Sequence, residues 1–466
     1  MNKLMVALMA ALIAAGFISG CSLTPEYTRP DAPVAGAYPA DPAGQGDRAA
    51  AEIGWREFFP DENLQALIKL ALDNNRDLRT AALRIEEARA LYNIQSADRL
   101  PNVNAGFSGN RSRTPASLSI TGQPVISSSY QVGLSLASFE LDFLGRVRSL
   151  NDAALSLYLA SDEARQAAQI SLVAEVAKAA LAERALAEQQ ELAQKSLEGR
   201  EASYKLAKQR FDVGASSALD LRLNETLMLA TRVTLVTLTR QRAQAMNGLA
   251  LLTGKPLTDL APAQALSAQN IVAEFPAGLP SDLLTRRPDI RASEQRLKAA
   301  NANIGAARAA FFPRITLTAG VGTASNDLAG LFQSGSDTWS FSPQVVLPIF
   351  DGGRNRSNLT LTEVRKNLAI ADYEKTIQTA FREVADALVA RASLDQQIDA
   401  QRAVQEAQAD RLRLADLRFQ NGVSSFIDVL DAQRELFSAE QALVQARLLR
   451  LTNAIDLYRS LGGGLN

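Results

Sequence analysis

Residue types that usually carry chemistry are scarce in this chain. Its 466 residues include no histidine and a single cysteine, Cys21. That removes disulfides, Cys/His metal centres, cysteine nucleophiles and histidine general bases together. A carboxylate or Ser–Lys enzyme is chemically possible with what remains, but no motif suggests one. One stretch does concentrate charge: Ile427, Asp428, Asp431 and Arg434. Ile427, Asp431 and Arg434 fall at i, i+4 and i+7, on one face of a helix. Repeated around a symmetry axis, such acids form a cation-attracting constriction. The plainer alternatives are a helix-start acid favoured by the macrodipole for Asp428, and an exposed ion pair for Asp431 with Arg434.

The lone cysteine has its own context. Lys3 followed by the apolar run Leu4 to Ile18 reads as a secretory signal segment over residues 1–20, to be set aside from the fold. Its end, Ile18-Ser19-Gly20-Cys21, resembles the bacterial lipobox, in which the cysteine is lipidated and becomes the first residue. The other reading is a plain signal peptide with an incidental cysteine. Ser22, rather than Asp, follows, and in that class of signals this implies the outer membrane. Charge is nearly balanced, 49 basic residues against 50 acidic, so nothing favours nucleic acid as a partner. No other segment has the ~18 uninterrupted apolar residues of a spanning helix. If the protein crosses a membrane, it does so as a β-barrel.

The elements that position these residues come twice. Asp77, Arg79, Arg84, Ala88 and Pro101 match Asp289, Arg291, Arg296, Ala300 and Pro313 at one constant offset. At a second, Gly145-Arg146, Arg210-Phe211, Gly214, Asp220 and Gly254 match Gly353-Arg354, Arg418-Phe419, Gly422, Asp428 and Gly462. The units are far longer than the 20 to 50 residues of solenoid repeats. The first-copy equivalents of Ile427, Asp431 and Arg434 are Leu219, Leu223 and Thr226, so that charge occurs once per chain.

Within each copy the period changes along the chain. Residues 61–100 lack Gly and Pro and carry helical apolar spacing, and Pro101 ends that helix. Period-2 alternation then predicts strands at about 102–112 and 129–141, and again at about 314–323 and 338–350. Val132 and Leu134, for example, alternate with Gln131 and Gly133, and Ile315 and Leu317 with Thr316 and Thr318. Pattern alone fits either soluble half-buried hairpins or barrel strands. The stretches 147–213 and 355–421 follow, with Gly199 their only glycine and no proline; as helices each extends about 90 to 100 Å. Their apolar and Ala positions fall on neighbouring stripes, so each packs between two helices, as in a wall. Tight turns at 213–217 and 420–425 reverse the chain. Ser217 with Asp220, and Ser425 with Asp428, predict capping boxes on the return helices.

The domains expected are therefore a signal peptide (1–20), an extended strap (21–60), a first repeat (61–254), a side segment (255–280) and a second repeat (281–466). Four strands are too few for a membrane barrel, whose minimum is about eight, so strands and helices must be pooled between subunits.

With this plan the sequence resembles the TolC-like outer-membrane efflux channels, and more closely their lipoprotein branch, that of OprM. The resemblance covers the whole mature chain. It rests on Cys21-Ser22-Leu23-Thr24-Pro25-Glu26-Tyr27, the twin tips, Phe312-Pro313, and Asp428-Val429-Leu430-Asp431-Ala432-Gln433-Arg434. It implies an α+β membrane protein that forms a homotrimer, with one twelve-stranded β-barrel continued by an α-helical barrel into the periplasm. It further implies a passive exit duct without a catalytic site or cofactor, apart from covalent lipid on Cys21. The expected partners are outer-membrane lipid, a periplasmic adaptor and an inner-membrane pump of the resistance-nodulation-division type. The gate is expected at Ile427, Asp428, Asp431 and Arg434. Docking of the adaptor is expected at Val213, Gly214, Ala215, Ser216, Gly422, Val423 and Ser424, unless these residues merely turn the chain. A Tyr and an Arg brace the mouth of the founding channel, but here Phe419 and Ser424 stand there, so that network does not carry over.

Other readings are a type I protein-secretion channel, a copper or silver exporter, and a coiled-coil lipoprotein with soluble hairpins. Soft-metal handling favours Met or His, and the mature chain has only Met228 and Met246.

Overall fold

The computed structural model describes residues 22–38, 49–120, 122–257, 264–269, 271 and 280–465. Cys21, the segment before it and much of 255–280 lie outside the described residues. The principal helices are α1 (Glu62–Asn74), α2 (Arg76–Ala97), α3 (Arg146–Asp212), α4 (Ala218–Thr253), α5 (Pro288–Ala309), α6 (Arg354–Gln420) and α7 (Phe426–Ser460). The strands are β1 (Val103–Thr114), β2 (Val125–Glu140), β3 (Arg314–Ser325) and β4 (Asp337–Val346). The two long helices, α3 and α6, have equal lengths of 67 residues. No described helix is long and apolar enough to cross a membrane.

The chain divides into two compact units. The first (Met1–Asp31, Arg84–Asp162 and Ala292–Tyr373) holds a four-stranded antiparallel sheet in the order β1-β2-β3-β4. Small residues bring its helices close: Ala153 of α3 packs against Ala299 and Ala302 of α5. Beside them a Cβ on Gly305 would collide with Thr24 and Ser149. The N-terminal stretch runs antiparallel to α5. Arg29 pairs with Glu294 at 2.9 Å, Tyr27 donates to Glu294 at 3.1 Å, Asn301 donates to the Pro25 carbonyl at 2.7 Å, and Thr24 meets Ser149 at 2.9 Å.

The second unit (Ala32–Leu83, Glu163–Arg291 and Glu374–Asn466) is helical. Ile170, Val173, Val176, Ala177, Ala180 and Leu181 of α3 are buried, and so are Ile377, Ala380 and Val384 of α6. Both stripes of α3 are thus covered, as expected of a helix with neighbours on two sides. The duplication is visible in side-chain roles. Asn75 donates to the Leu252 carbonyl at 2.8 Å, and its counterpart Arg287 donates to the Ser460 carbonyl at 2.9 Å. Each contact ties a helix start to the end of a return helix, satisfying a carbonyl the helix leaves open.

Three local expectations need correction. The helix expected over 61–100 is two helices, broken at Asn75. Its backbone is extended, its Oδ1 caps Leu78 N at 2.9 Å and its Nδ2 reaches Leu252. A side chain capping two helix ends at once cannot lie within one helix. The strand expected at 338–350 stops at Val346, whose partner Arg314 is the first residue of β3, so the ladder ends where its neighbour begins. Conversely, β2 starts at Val125, earlier than the alternation suggested. Val125–Ser128 pair with Arg111–Thr114, and a backbone ladder needs no apolar face to form.

Candidate functional site

The sheet sorts its side chains over the rows nearest the helices. Register places Phe107, Val132 and Thr323 in one row, Ala105, Leu134, Val321 and Trp339 in the next, and Leu317 opposite Pro343. Partners in an antiparallel row share a face, so this face also carries Ile315, Phe341 and Val345. The other face carries Ser108 with Gln131, Gly106 with Gly133 and Gly322, Ser135 with Gly320 and Ser340, and Thr318 with Ser342. Over the rows from Val103 to Phe107 one face is therefore apolar and aromatic and the opposite one small and polar, while toward the hairpin loops Arg111, Arg113, Ser128 and Asp337 fall on the first face.

Two details keep that sorting intact. Leu136 pairs with Ala319 but Phe139 with Leu317, so β2 bulges by one residue, with Ser138 at φ 49°. The bulge resets the alternation, returning Phe139 to the apolar face and Glu140 to the polar one. At Gly133 and Gly322 the strands approach too closely for a side chain, since an added Cβ would collide with the carbonyl oxygens of Val321 and Val132 respectively. Both edges of the sheet, the outer sides of β1 and β4, lack a partner strand among the described residues.

In the helical unit, α3 and α6 both end on a glycine in the left-handed region, Gly214 at φ 75° and Gly422 at φ 71°. Around them Ala215 N donates to Arg210 O at 2.7 Å and Val423 N to Arg418 O at 2.9 Å, closing matched C-terminal caps. Val213 and Val423 are 79% and 66% exposed, whereas the hydroxyls of Ser216 and Ser424 are buried without a partner. The expected capping box forms at Ser217, which accepts from Asp220 N at 3.1 Å while Asp220 accepts from Ser217 N at 3.2 Å. At Ser425 it does not form: no side-chain cap is made, although the backbone has the same geometry. Water can satisfy the first N–H groups of an exposed helix start, and a cap adds only about 1 kcal/mol, so this terminus does not depend on it.

The charged stretch lies on the first turns of α7. Asp428 and Ile427 are exposed, and Asp428 makes no ion pair among the described residues. Asp431, half-buried, is held on both oxygens: Arg434 lies 2.5 Å from Oδ1, and Arg411 of α6 2.6 Å from Oδ2. Arg434 also contacts Glu435 at 3.0 Å. The Glu435 hydrogen bond and the charge of Asp431 push the Arg434 guanidinium above its ordinary value. Arg411 was not singled out in the sequence. Its first-copy counterpart is Ser203, opposite Leu223, and that one-sided appearance of a complementary charge was the available signal.

Comparison with known proteins decides the family. The family model described as outer membrane efflux protein matches residues 67–255 and 279–463. The chain belongs to the outer membrane efflux protein family. The toluene efflux pump outer membrane protein TtgC of Pseudomonas putida is 48% identical over 98% of this chain and 95% of its own length. OprJ of Pseudomonas aeruginosa is 47% identical over the same shares. The solved open state of the MtrE outer membrane channel of Neisseria gonorrhoeae superposes with a TM-score of 0.88 at 43% identity, covering 96% of this chain and 99% of that one.

This outer membrane efflux protein is an outer-membrane component of an efflux pump, with the fold of TolC-like channels. The family's role is export, and no described cluster of acidic residues could hold a metal ion.

Proposed function

We propose that three copies of the chain join their sheets edge to edge, β4 of one beside β1 of the next, to close a twelve-stranded barrel in the outer membrane. The observation that carries this reading is the sorted sheet itself. Among the described residues it has two edges without a partner strand, an aggregation liability unless paired, and too few strands to close alone. The apolar face meets lipid, the polar face lines the duct, and the helices continue as an α-helical barrel into the periplasm.

The duct is passive. Energy comes from an inner-membrane pump of the resistance-nodulation-division type, joined through a periplasmic adaptor. The cargo is small organic molecules, as the relatives named for toluene and antibiotic efflux suggest. The adaptor docks on the tips, Val213 to Ser216 and Gly422 to Ser424, where exposed valines flank glycines with nothing within 4 Å of an added Cβ. Gly214→Trp or Gly422→Trp is expected to abolish drug resistance while leaving outer-membrane protein levels unchanged. Resistance that persists in both variants would place docking elsewhere.

Cys21 carries the lipid. The residues just after it support this: Leu23 approaches Arg308 near the end of α5, which feeds directly into β3, so the N-terminal stretch heads for the strand end of its unit. Cys21→Ala, with an ordinary signal cleavage site, is expected to lose lipid labelling yet still reach the outer membrane as an oligomer. A soluble monomer would show that the strands do not insert.

The inner mouth lies at Ile427, Asp428, Asp431 and Arg434. Asp428 supplies its uncompensated negative charge, while Asp431 braces α7 against α6 through Arg411.

A further inference from the structure

The loop ends of the two β-hairpins carry opposite charge. Between Leu100 and Phe139 the only charged residues are Arg111 and Arg113, both on β1 and both exposed. Residues 315–350, which hold the second hairpin, have Asp327 and Asp337 and no basic residue. Arg111 pairs with Ser128 and Arg113 with Ile126, two and four rows beyond the pair Gly109–Tyr130. Alternation puts both arginines on the face that carries Phe107 and Val132. Neither makes an ion pair or a side-chain hydrogen bond among the described residues. Asp337, the only acid of the described strands on that face, lies in the row of Phe107 at the opposite edge of the sheet.

Height on the sheet matters as much as charge. On β2 the apolar face runs from Phe139, at the helix end, to Tyr130. The Tyr130 ring lies across Gly109, where an added Cβ would stand 3.0 Å from it. At ~3.4 Å per residue, a tilt of about 40° and one bulged residue, that stretch rises roughly 20 to 23 Å. This nearly fills the ~25 Å apolar band of an outer-membrane barrel, and tyrosine is a residue of its interfacial girdle. Arg111 and Arg113 then stand about 5 and 10 Å beyond the girdle, outside the hydrocarbon and level with headgroups. An arginine facing hydrocarbon is costly, but at headgroup level it meets phosphate, which a guanidinium binds through paired hydrogen bonds. Ser128, in the row of Arg111, adds a hydroxyl on the same face.

We propose that Arg111 and Arg113 form a binding site for the phosphates of the outer-leaflet glycolipid, on the lipid-facing side of each subunit's first hairpin. The site rests on the reading of the sheet as one third of a barrel whose loops lie outside, since that makes this end the outer leaflet. The ligand is a phosphorylated sugar headgroup carrying acyl chains. Phe107, Val132 and Leu134 offer the chains an apolar surface below, and the arginines meet the phosphates above. Two arginines at i and i+2 on one strand stand about 7 Å apart, close enough to share one phosphate or to hold two. The acidic loop end of the second hairpin disfavours the same headgroup, so each subunit offers one such site.

Titration of the purified, detergent-solubilised protein with fluorescent lipid A tests this, comparing the bisphosphorylated form with one stripped of both phosphates. The parent protein is expected to bind the bisphosphorylated form on the order of twentyfold more tightly, about fivefold for each arginine. Arg111→Gln and Arg113→Gln should each lose about fivefold, and the double variant should bind the two forms alike. Arg111→Lys with Arg113→Lys should keep most of the preference, because the charge remains, and high salt should shrink it. Equal binding of both forms by the parent, or an undiminished preference in the double glutamine variant, overturns the site. The rival occupant is the partner subunit's Asp337. If Asp337→Asn and the double glutamine variant lower the oligomer's melting temperature alike while the phosphate preference stays, the arginines serve the seam and the proposal fails. An undiminished preference in a protein whose lipid and duct faces label differently with thiol reagents removes this site and leaves the barrel. Equal labelling of both faces removes the barrel and the site with it.

Discussion

Arg184→Ala destabilises the protein by roughly 3 to 5 kcal/mol, the cost of removing one partner of a buried ion pair. Arg184 and Asp61 are 4% and 7% exposed and lie 2.7 Å apart. Asp61 is also the N-cap of α1, accepting from Asn63 N at 2.8 Å and Leu64 N at 3.2 Å, and it accepts from Gln269 at 2.8 Å. Burial alone would raise its carboxyl; the Gln269 hydrogen bond, the charge of Arg184 and the Leu64 N–H outweigh burial and hold it below the ordinary carboxylate value. A depressed folded-state value means that Asp61 stabilises the protein above the unfolded-state value of about 4. That contribution is lost as pH falls through the lower, folded-state value. Thermal unfolding of the detergent-solubilised protein should therefore show a deficit for Arg184→Ala at pH 7 that narrows toward acid. Asp61→Asn with Arg184→Met should cost less than the two single changes together. A deficit that is absent at pH 7, or that widens in acid, would refute the assigned role.

Asp428→Asn reduces the preference for cations over anions on the order of tenfold. In the proposed trimer, with the three carboxylates set about 7 Å from an ion on the axis, each charge would be worth about 0.6 kcal/mol in water, cut by more than half by screening at physiological salt. That leaves about threefold for each sign of ion, and the effect fades at high salt. Asp431→Asn acts differently, because it strands Arg411 and Arg434, which now hold it. It should shift selectivity further toward anions. Arg434→Ala should raise cation preference and, by loosening the first turns of α7, conductance. Its pair is exposed, and such pairs contribute little to stability, so folding should survive. Changes at Leu223 and Thr226, the uncharged first-copy positions, should be silent. Reversal potentials across a salt gradient measure all of these, and parental selectivity in Asp428→Asn would put the constriction elsewhere.

What the sequence disclosed was what repeats or alternates. Gly214 and Gly422 announced the turns because a left-handed residue after a long helix leaves few alternatives. The odd and even positions of β3, Ile315 and Leu317 against Thr316 and Thr318, announced its two faces. What stayed hidden depended on contacts distant in sequence. Asn75 is a favoured N-cap type and so a local mark of the break between α1 and α2, but helical apolar spacing on both sides masks it until Leu252 is beside it. The bulge at Ser138 was concealed because Leu136, Ala137 and Phe139 are all apolar and fit either register. Asp431 could be read as one of an exposed pair with Arg434, but not as the partner of Arg411 as well. Spacing along one helix cannot show a cation twenty residues away on the preceding one.

In the proposed trimer the sheet is one third of a membrane-spanning barrel whose polar face lines the duct. Single cysteines placed at Val132, Leu134, Ile315, Leu317, Phe341 and Val345, and separately at Gln131, Thr316, Thr318 and Ser340, test it when reacted in intact outer membranes with a small, charged, membrane-impermeant thiol reagent. Labelling of the second set alone is expected, with conductance falling as the reagent reacts. Equal labelling of both sets, or labelling of the second set without any change in conductance, would contradict it.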